Sequence, residues 1–297
     1  MTNSNRLPLI RKRLPFLILL VLTGPAPAAD ATAAALRKAL TLHASFDQGA
    51  GADFARGDRS IYTASSYKNR EDARPGLHHP DVSIVAGQGR HGGALQFRKK
   101  NTKAIYYRAE NNVAYRKQEW SGTVSFWLSL DPDQDLEPGF CDPIQVTAES
   151  YNDAALWVDF TRDERPRHFR LGVFGDLKVW NPGNIPSDKN PDFQRRLITV
   201  TKHPFGRGRW THVAITHAGF NSSGEGGVAR LYLNGVLQGK TEGIREPFSW
   251  DLSRAAIRLG VNYVGLFDEL AVFDRALSDP EVQTLYQLKA GAGSLQR

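Results

Sequence analysis

The chain of 297 residues has one cysteine, Cys141, so no disulfide can form within it. Whatever holds the fold must be core packing, and the length suffices, because a domain of this size buries most of the surface that its unfolded chain exposes. A lone cysteine could be a reactive thiol. Cys141 has Asp142 and Pro143 beside it and no adjacent basic residue, so a packed, inert side chain is expected. No apolar run reaches the ~20 residues of a membrane-spanning helix; the longest, Phe16 to Leu22, is far shorter. A large charge excess is also missing. The chain carries 38 Lys and Arg against 31 Asp and Glu. Setting aside the four basic residues of the first 28 leaves 34 against 31, a surplus of three. A nucleic-acid partner asks for a basic patch or stripe, which so small a surplus does not support.

What is present at the N-terminus reads as an export signal. Arg6, Arg11, Lys12 and Arg13 precede the apolar run, and Ala26-Pro27-Ala28 supplies small residues at a cleavage position. The mature chain is expected to begin near Ala29 and to be secreted or periplasmic, with no membrane span once the signal is removed. An uncleaved anchor is the alternative.

After a short Ala-rich lead-in at 29–39, the pattern from Leu40 onward is one of short strands separated by Gly, Pro, Asn and Asp clusters. Strands are expected at 40–46, 94–98, 104–108, 122–130, 143–148, 154–160, 168–174, 196–201, 210–217, 228–234, 255–260 and 264–273. One helix is expected, after Ser278. Pro280 falls in its first turn, Glu281 stands at the capping-box position, and Val282, Leu285 and Leu288 recur at helical spacing. Segment 181–193, with three prolines, and region 53–83 read as excursions from one domain spanning 40–290, with 291–297 as a tail. Many short strands without alternating helices imply an all-β sandwich or barrel.

Several stretches together resemble one family. They are "RHGGALQFR" at 90–98, "GTVSFWLSL" at 122–130, "RWTHVAITHAG" followed by "ARLYLNGVLQG", "AAIRLG", and "GLFDELAVFDRALSDPEVQTLY". In this order they are similar to the laminin G-like jelly rolls of the concanavalin A-like lectin/glucanase superfamily. The resemblance covers roughly residues 40–288. It implies a two-sheet antiparallel jelly-roll sandwich with a short C-terminal helix. The family includes sugar-binding modules, adhesion domains, hydrolases and lyases, so fold does not give function. The resemblance also implies a structural Ca²⁺ where the first strand meets the last, which falls on Asp47 and Asp268. The alternative is that both carboxylates cap turns.

Period-two alternation assigns strand faces. Val124, Phe126 and Leu128 turn inward, as do Ile144 and Val146, Leu156, Val158 and Phe160, and Phe169, Leu171 and Val173. Trp127, Gln145, Trp157, Asp159, His168 and Arg170 are left outside. If their strands share a sheet, they make an aromatic and polar surface of the kind sugars bind, with rings packing on sugar faces and polar groups taking hydroxyls. The competing reading covers the tryptophans with loops and makes Asp159–Arg170 a structural ion pair. No clustered Glu-x-Asp-x-x-Glu signature of the glucanase branch occurs, and Asp159 has no acidic neighbour two residues away on its face. His168 and Arg170 could serve a lyase, as base and carboxylate clamp. His212 and His217 are five apart on one strand and should face opposite ways; His212 is expected to be a hydrogen-bonded structural residue. By the same alternation Asp268 should share the core side with Leu270 and Val272 while Glu269 faces out, so the adjacent acids cannot form a dyad.

The expected function is non-catalytic binding of an extracellular glycan or glycoprotein. A polysaccharide-active lyase or hydrolase is the first alternative and a structural or adhesion protein with a protein partner the second.

Overall fold

A computed structural model describes residue 1, residues 28–101 and residues 103–296. The export signal falls almost wholly on residues 2–27, outside the described residues. The strands, in chain order, are β1 (Leu40–Ala44), β2 (Phe54–Ala55), β3 (Ile61–Ala64), β4 (Arg74–Pro75), β5 (Val82–Val85), β6 (Ala94–Phe97), β7 (Ala104–Arg108), β8 (Trp120–Ser129), β9 (Cys141–Ser150), β10 (Asp153–Phe160), β11 (Phe169–Phe174), β12 (Leu197–Val200), β13 (Thr211–Phe220), β14 (Gly227–Leu233), β15 (Val236–Ile244), β16 (Ala256–Val261) and β17 (Gly265–Phe273). The helices are α1 (Ala28–Ala39), α2 (Pro132–Asp135), α3 (Leu177–Trp180), α4 (Pro191–Arg195) and α5 (Asp279–Gln287), followed by a 3₁₀ segment, Ala292–Gln296.

The strands make two antiparallel sheets, a jelly-roll sandwich. One runs β15-β14-β13-β8-β17-β1-β2, with β6 also on β17 and β5 on β6; the other runs β12-β11-β10-β9-β16-β7-β3-β4. The predicted inward faces meet between them. Val124, Phe126 and Leu128 of β8 share one buried cluster with Leu156, Val158 and Phe160 of β10 and with Phe169, Leu171 and Val173 of β11. Phe126 stacks on Phe267 with ring centroids 5.0 Å apart. His212 and His217 do face opposite ways: His217 packs on Trp120 of the core at 4.4 Å, while His212 lies on the outer face against Trp127.

The outer face of the nine-stranded sheet is covered away from the exposed β15 edge, and here the sequence reading needs correction. The lead-in is a 12-residue helix, α1, whose Leu36 is buried with Leu277, Val282 and Leu285 and with Leu295 of the 3₁₀ segment. The expected tail is therefore packed, and Arg37 Nε donates to the carbonyl of Leu295 at 2.6 Å. The alanines contribute propensity, but Leu36 is the one large apolar side chain in the helix, so the extent of its burial was not legible locally. Helix α5 forms as expected. Glu281 accepts from the N–H of Ser278 at 2.9 Å, and the Arg275 guanidinium beside it pushes its carboxyl down to about 2.

The sharpest departure is a β-bulge in β17. Asp268 pairs with Trp127, but Ala271 pairs with Ser125, so Glu269 and Leu270 oppose one residue of β8. Glu269 takes φ +52° at this point. The extra residue inverts the alternation. Phe267, Leu270 and Val272 enter the core cluster, and Asp268 turns to the 89–93 turn, where the N–H of His91 donates to it at 3.1 Å. Asp268 thus leaves the core side predicted for it. Glu269 is on the outer face as expected, yet only 4% exposed. Its Oε2 accepts the N–H of Ala292 at 2.5 Å and lies 3.4 Å from Nε2 of His43.

Deleting residues 291–297 should therefore cost about 2 kcal/mol, the scale of burying one leucine with its neighbours. Urea unfolding of the deleted chain against the full chain measures this, and an unchanged midpoint would show that the segment only rests on the sheet.

Candidate functional site

The outer face of the eight-stranded sheet is only partly covered, and the register of β9, β10 and β11 assembles a site on it. Trp157 lies between Gln145 and Gly172, and Asp159 pairs across with Arg170. The absence of a side chain at Gly172 is what admits the indole, since a Cβ there would sit 2.2 Å from Cζ2 of Trp157. Nε1 of Trp157 donates to the carbonyl of Tyr151, and its ring stacks on Phe174 in a cluster with Trp180 and Phe193. Those last two belong to α3 and α4, the two short helices of the 175–196 excursion. Asp131, Asn190 and the prolines after them start α2 and α4 by side-chain capping.

Beside this cluster is a cavity of about 240 Å³. Phe140, Tyr151, Trp157 and Phe193 give it aromatic walls, and Asp142, Gln145, Asp159 and Arg170 give it a polar floor, with Ser187 and Asn262 at the rim. Phe140 and Tyr151 are 42% and 45% exposed, among the few large apolar side chains left open to solvent. The volume is below the roughly 300–1,000 Å³ of drug-sized ligand sites. It suits a single ring rather than a long chain.

The floor is a hydrogen-bonded network. Arg170 donates through Nε to Oδ1 of Asp159 at 2.8 Å and through Nη2 to Oδ2 at 2.5 Å. The same guanidinium lies over the rings of Phe140 and Trp157, 5.0 and 5.7 Å from their centroids. Gln145 Nε2 donates to Oδ2 of Asp142 at 2.5 Å. On its other side Gln145 meets Nη1 of the buried Arg258 at 3.5 Å. Burial is the largest influence on both acids. It pushes Asp142 up to about 8, helped by the neighbouring charge of Asp159. It also raises Asp159, against the lowering effect of Arg170.

Four of the six predicted surface residues, Gln145, Trp157, Asp159 and Arg170, are brought together here. Trp127 is not. It belongs to β8 in the other sheet, where Tyr286 of α5 stacks on it at 5.6 Å and Arg90 lies over it at 4.8 Å. Alternation places a side chain on a face but does not say which sheet, and this is where the grouping failed. His168 precedes β11 and is not in the cavity wall. The reading of Asp159–Arg170 as an ion pair and of Trp157 as loop-covered also holds, so the indole forms a wall and not an open platform. Sequence reasoning missed Phe140, Asp142, Tyr151, Phe193 and Asn262. The available signal was two large aromatics, Phe140 and Tyr151, in turn segments flanking β9.

Other reactive-looking groups are spent elsewhere. Ser125 Oγ and His212 Nε2 are 2.8 Å apart, but His212 is wholly buried and burial pushes it down to about 3. Cys141 is buried, and its thiol is raised to about 11 by desolvation. Arg167 Nη1 lies 3.8 Å from that sulfur, with the guanidinium donating to the carbonyls of Gly139, Thr161 and Glu137.

Asp47 and Asp268 meet at the 89–93 turn. Gly93 N donates to Oδ1 of Asp47 at 2.6 Å, and Glu269 N donates to Oδ1 of Asp268 at 2.7 Å. Desolvation is the first cause that lifts Asp268 to about 8. Among the described residues no group of three or more His, Cys, Asp and Glu gathers to hold a metal. Asp47 Oδ1 and both oxygens of Asp268 accept backbone N–H groups, and a Ca²⁺ placed between the two carboxylates would need backbone carbonyls and water to reach the six to eight oxygens it takes.

Residues 100–283 match the sequence profile of a family described as the concanavalin A-like lectin/glucanases superfamily. No curated protein sequence matches the chain. Among solved structures it is similar to domain 4 of AbnA, a GH43 extracellular arabinanase from Geobacillus stearothermophilus, in complex with arabinotriose. The TM-score is 0.52 at 18% identity, covering 84% of this chain and 98% of that one. It is also similar to the ligand-binding domain of botulinum neurotoxin serotype D in complex with N-acetylneuraminic acid. There the TM-score is 0.53 at 12% identity, covering 87% of this chain and 53%, about half, of the toxin domain.

The raised Asp142 has a consequence for stability. In the folded chain it holds its proton up to about pH 8, against 3.8 for an ordinary aspartate. The folded state binds more protons across that interval, so the contribution is complete below the lower value and is lost as pH rises through the upper one. Urea midpoints measured from pH 4 to 9 should fall with rising pH, and Asp142→Asn should flatten part of that slope.

Proposed function

The chain belongs to the concanavalin A-like lectin/glucanase superfamily, and on that premise we propose that it binds a carbohydrate in the cavity over β9, β10 and β11. The observation that carries the reading is the pairing of aromatic walls with a polar floor at one end of a rigid sheet. Sugar rings present apolar C–H faces to aromatic side chains, while their hydroxyls need donors and acceptors at fixed positions. Phe140 and Tyr151 supply exposed aromatic surface, Tyr151 as an exposed ring and Phe140 as a ring flanked by the guanidiniums of Arg170 and Arg162. Asp142 and Asn262 supply polar groups at the floor and rim. The similar arabinanase domain and toxin domain were each solved with a sugar, one neutral and one acidic, so both fold and neighbours are compatible with this reading.

Binding is favoured over hydrolysis by the geometry of the floor. Two-carboxylate hydrolysis needs a second free carboxyl as base or nucleophile. Both oxygens of Asp159 are engaged by Arg170, which leaves Asp142 as the available acid. Export through residues 1–28 would place the domain where extracellular glycans or glycoproteins are met.

A glycan array probed with the full chain, followed by titration calorimetry on the best ligand, tests the proposal. Phe140→Ala and Tyr151→Ala should each weaken binding about tenfold, as loss of a sugar–aromatic contact implies. The ligand should be recovered uncut. Equal affinity in both variants would remove the cavity from consideration, and release of shortened product would favour the lyase or hydrolase alternative.

We propose Ca²⁺ at Asp47 and Asp268 as a structural ion. It would tie the end of the first strand to the 89–93 turn and relieve the desolvated charge of Asp268. Heat on calcium titration and a melting temperature lowered by chelator are expected. No heat and no shift would leave the two carboxylates as turn caps.

A further inference from the structure

We propose that the cavity takes an uncharged sugar ring and discriminates against its anionic counterpart, with Asp142 reading the ring's hydroxyls. This rests on the carbohydrate-binding reading above and goes further, by naming the charge class of the ligand and a specificity-determining residue.

The basis is an inventory of where each charge in the wall is committed. Arg170 is the one cationic side chain lining the cavity among the described residues. Its Nε and Nη2 are closed on the two oxygens of Asp159, the bidentate edge that would otherwise grip a sugar carboxylate, and the pair is net neutral. Its flat faces are turned to Phe140 and Trp157. Arg258 lies behind Gln145 and is 4% exposed, with Nη2 donating to the carbonyl of Glu149 at 2.7 Å and its guanidinium over Tyr67. Arg162 lies over the Phe140 ring, 5.7 Å from its centroid, and is paired with Asp163 at the exposed surface, outside the cavity lining. An entering carboxylate would lose its hydration and could draw on Arg170 only through Nη1, on a guanidinium whose charge Asp159 already balances.

The acidic side of the inventory points the same way. Asp142 is joined to Gln145 through Oδ2, and no side-chain bond to its Oδ1 is seen. A carboxyl group at the floor of a small cavity can engage adjacent hydroxyls as donor or acceptor. The groups facing it are Gln145 on its own strand, Asp159 on β10, Arg170 on β11, Val261 at the end of β16 with Asn262 after it, and the uncharged Tyr67 hydroxyl and Cys141 thiol. Only Asp159 and Arg170 carry charge among these, and they offset each other. Burial holds Asp142 protonated near neutrality. A neutral ring meets no penalty there, whereas rising pH gives the floor a negative charge that opposes an anion.

The experiment compares sugars identical except at C6: methyl galactoside with methyl galacturonide, and methyl glucoside with methyl glucuronide. Each is titrated into the full chain, into Phe140→Ala, and into Asp142→Asn. The neutral member of a pair should bind at least about tenfold tighter, the factor expected when a charged group is left unpaired on burial. The preference should widen between pH 6 and pH 9 and shrink in Asp142→Asn. A uronide that binds as tightly as its neutral partner, and is weakened by Phe140→Ala, would overturn the selectivity while upholding sugar binding in the cavity. A preference that Asp142→Asn leaves unchanged would overturn the role given to Asp142. If neither member of either pair binds and no array glycan depends on Phe140, the carbohydrate reading falls and this inference with it.

Discussion

Arg170 engages both oxygens of the Asp159 carboxylate, and the chemistry open to the cavity follows from that arrangement. Taking two charges out of water is costly, and the attraction between them repays the cost only when geometry is good and the remaining polar atoms are satisfied. Here the pair is supported further by rings on either side of the guanidinium. With Nε and Nη2 so committed, Arg170 keeps only Nη1 outside the pair, and neither oxygen of Asp159 is left without a donor. Under the proposed sugar binding, recognition would fall to Asp142 and to the aromatic walls.

The two outer faces of the sandwich are used differently for a related reason. A sheet that presents apolar side chains on both faces must cover the second one. On the nine-stranded sheet the cover is α1, α5 and the 3₁₀ segment, and the bulge at Glu269 is what lets that cover be tied down. By turning Glu269 outward beneath residues 291–292, it gives a buried carboxylate the N–H of Ala292 as a donor. The same bulge releases Asp268 toward the 89–93 turn. On the eight-stranded sheet the cover is the 175–196 excursion, which stops short and leaves the cavity. Coverage and opening are thus two outcomes of one requirement to keep Trp157, Phe174 and Phe193 out of water.

Legibility in the sequence tracked the range of the interaction. Gly172 could be placed on the outer face by counting, but its purpose, to admit the Trp157 indole, depends on a neighbouring strand. Trp127 and Trp157 have the same local pattern, an aromatic between inward-facing apolar residues. One is pressed beneath α5 and the other walls a cavity, because β8 and β10 lie in different sheets. Phe140 and Tyr151 sit in turns, where no periodicity applies.

By itself the sequence determined most of the strands, though not β2 to β5 within the 53–85 stretch or β15, together with their inward residues outside β17, the capped C-terminal helix and the order of family motifs. All of these follow from local preference and period-two or period-3.6 alternation. Tertiary structure alone decided which outward residues share a sheet, which are covered, and which charges are already paired. It also decided the fate of the adjacent acids in β17, since a single extra residue opposite Phe126 reverses a pattern that counting along one strand must carry forward unchanged.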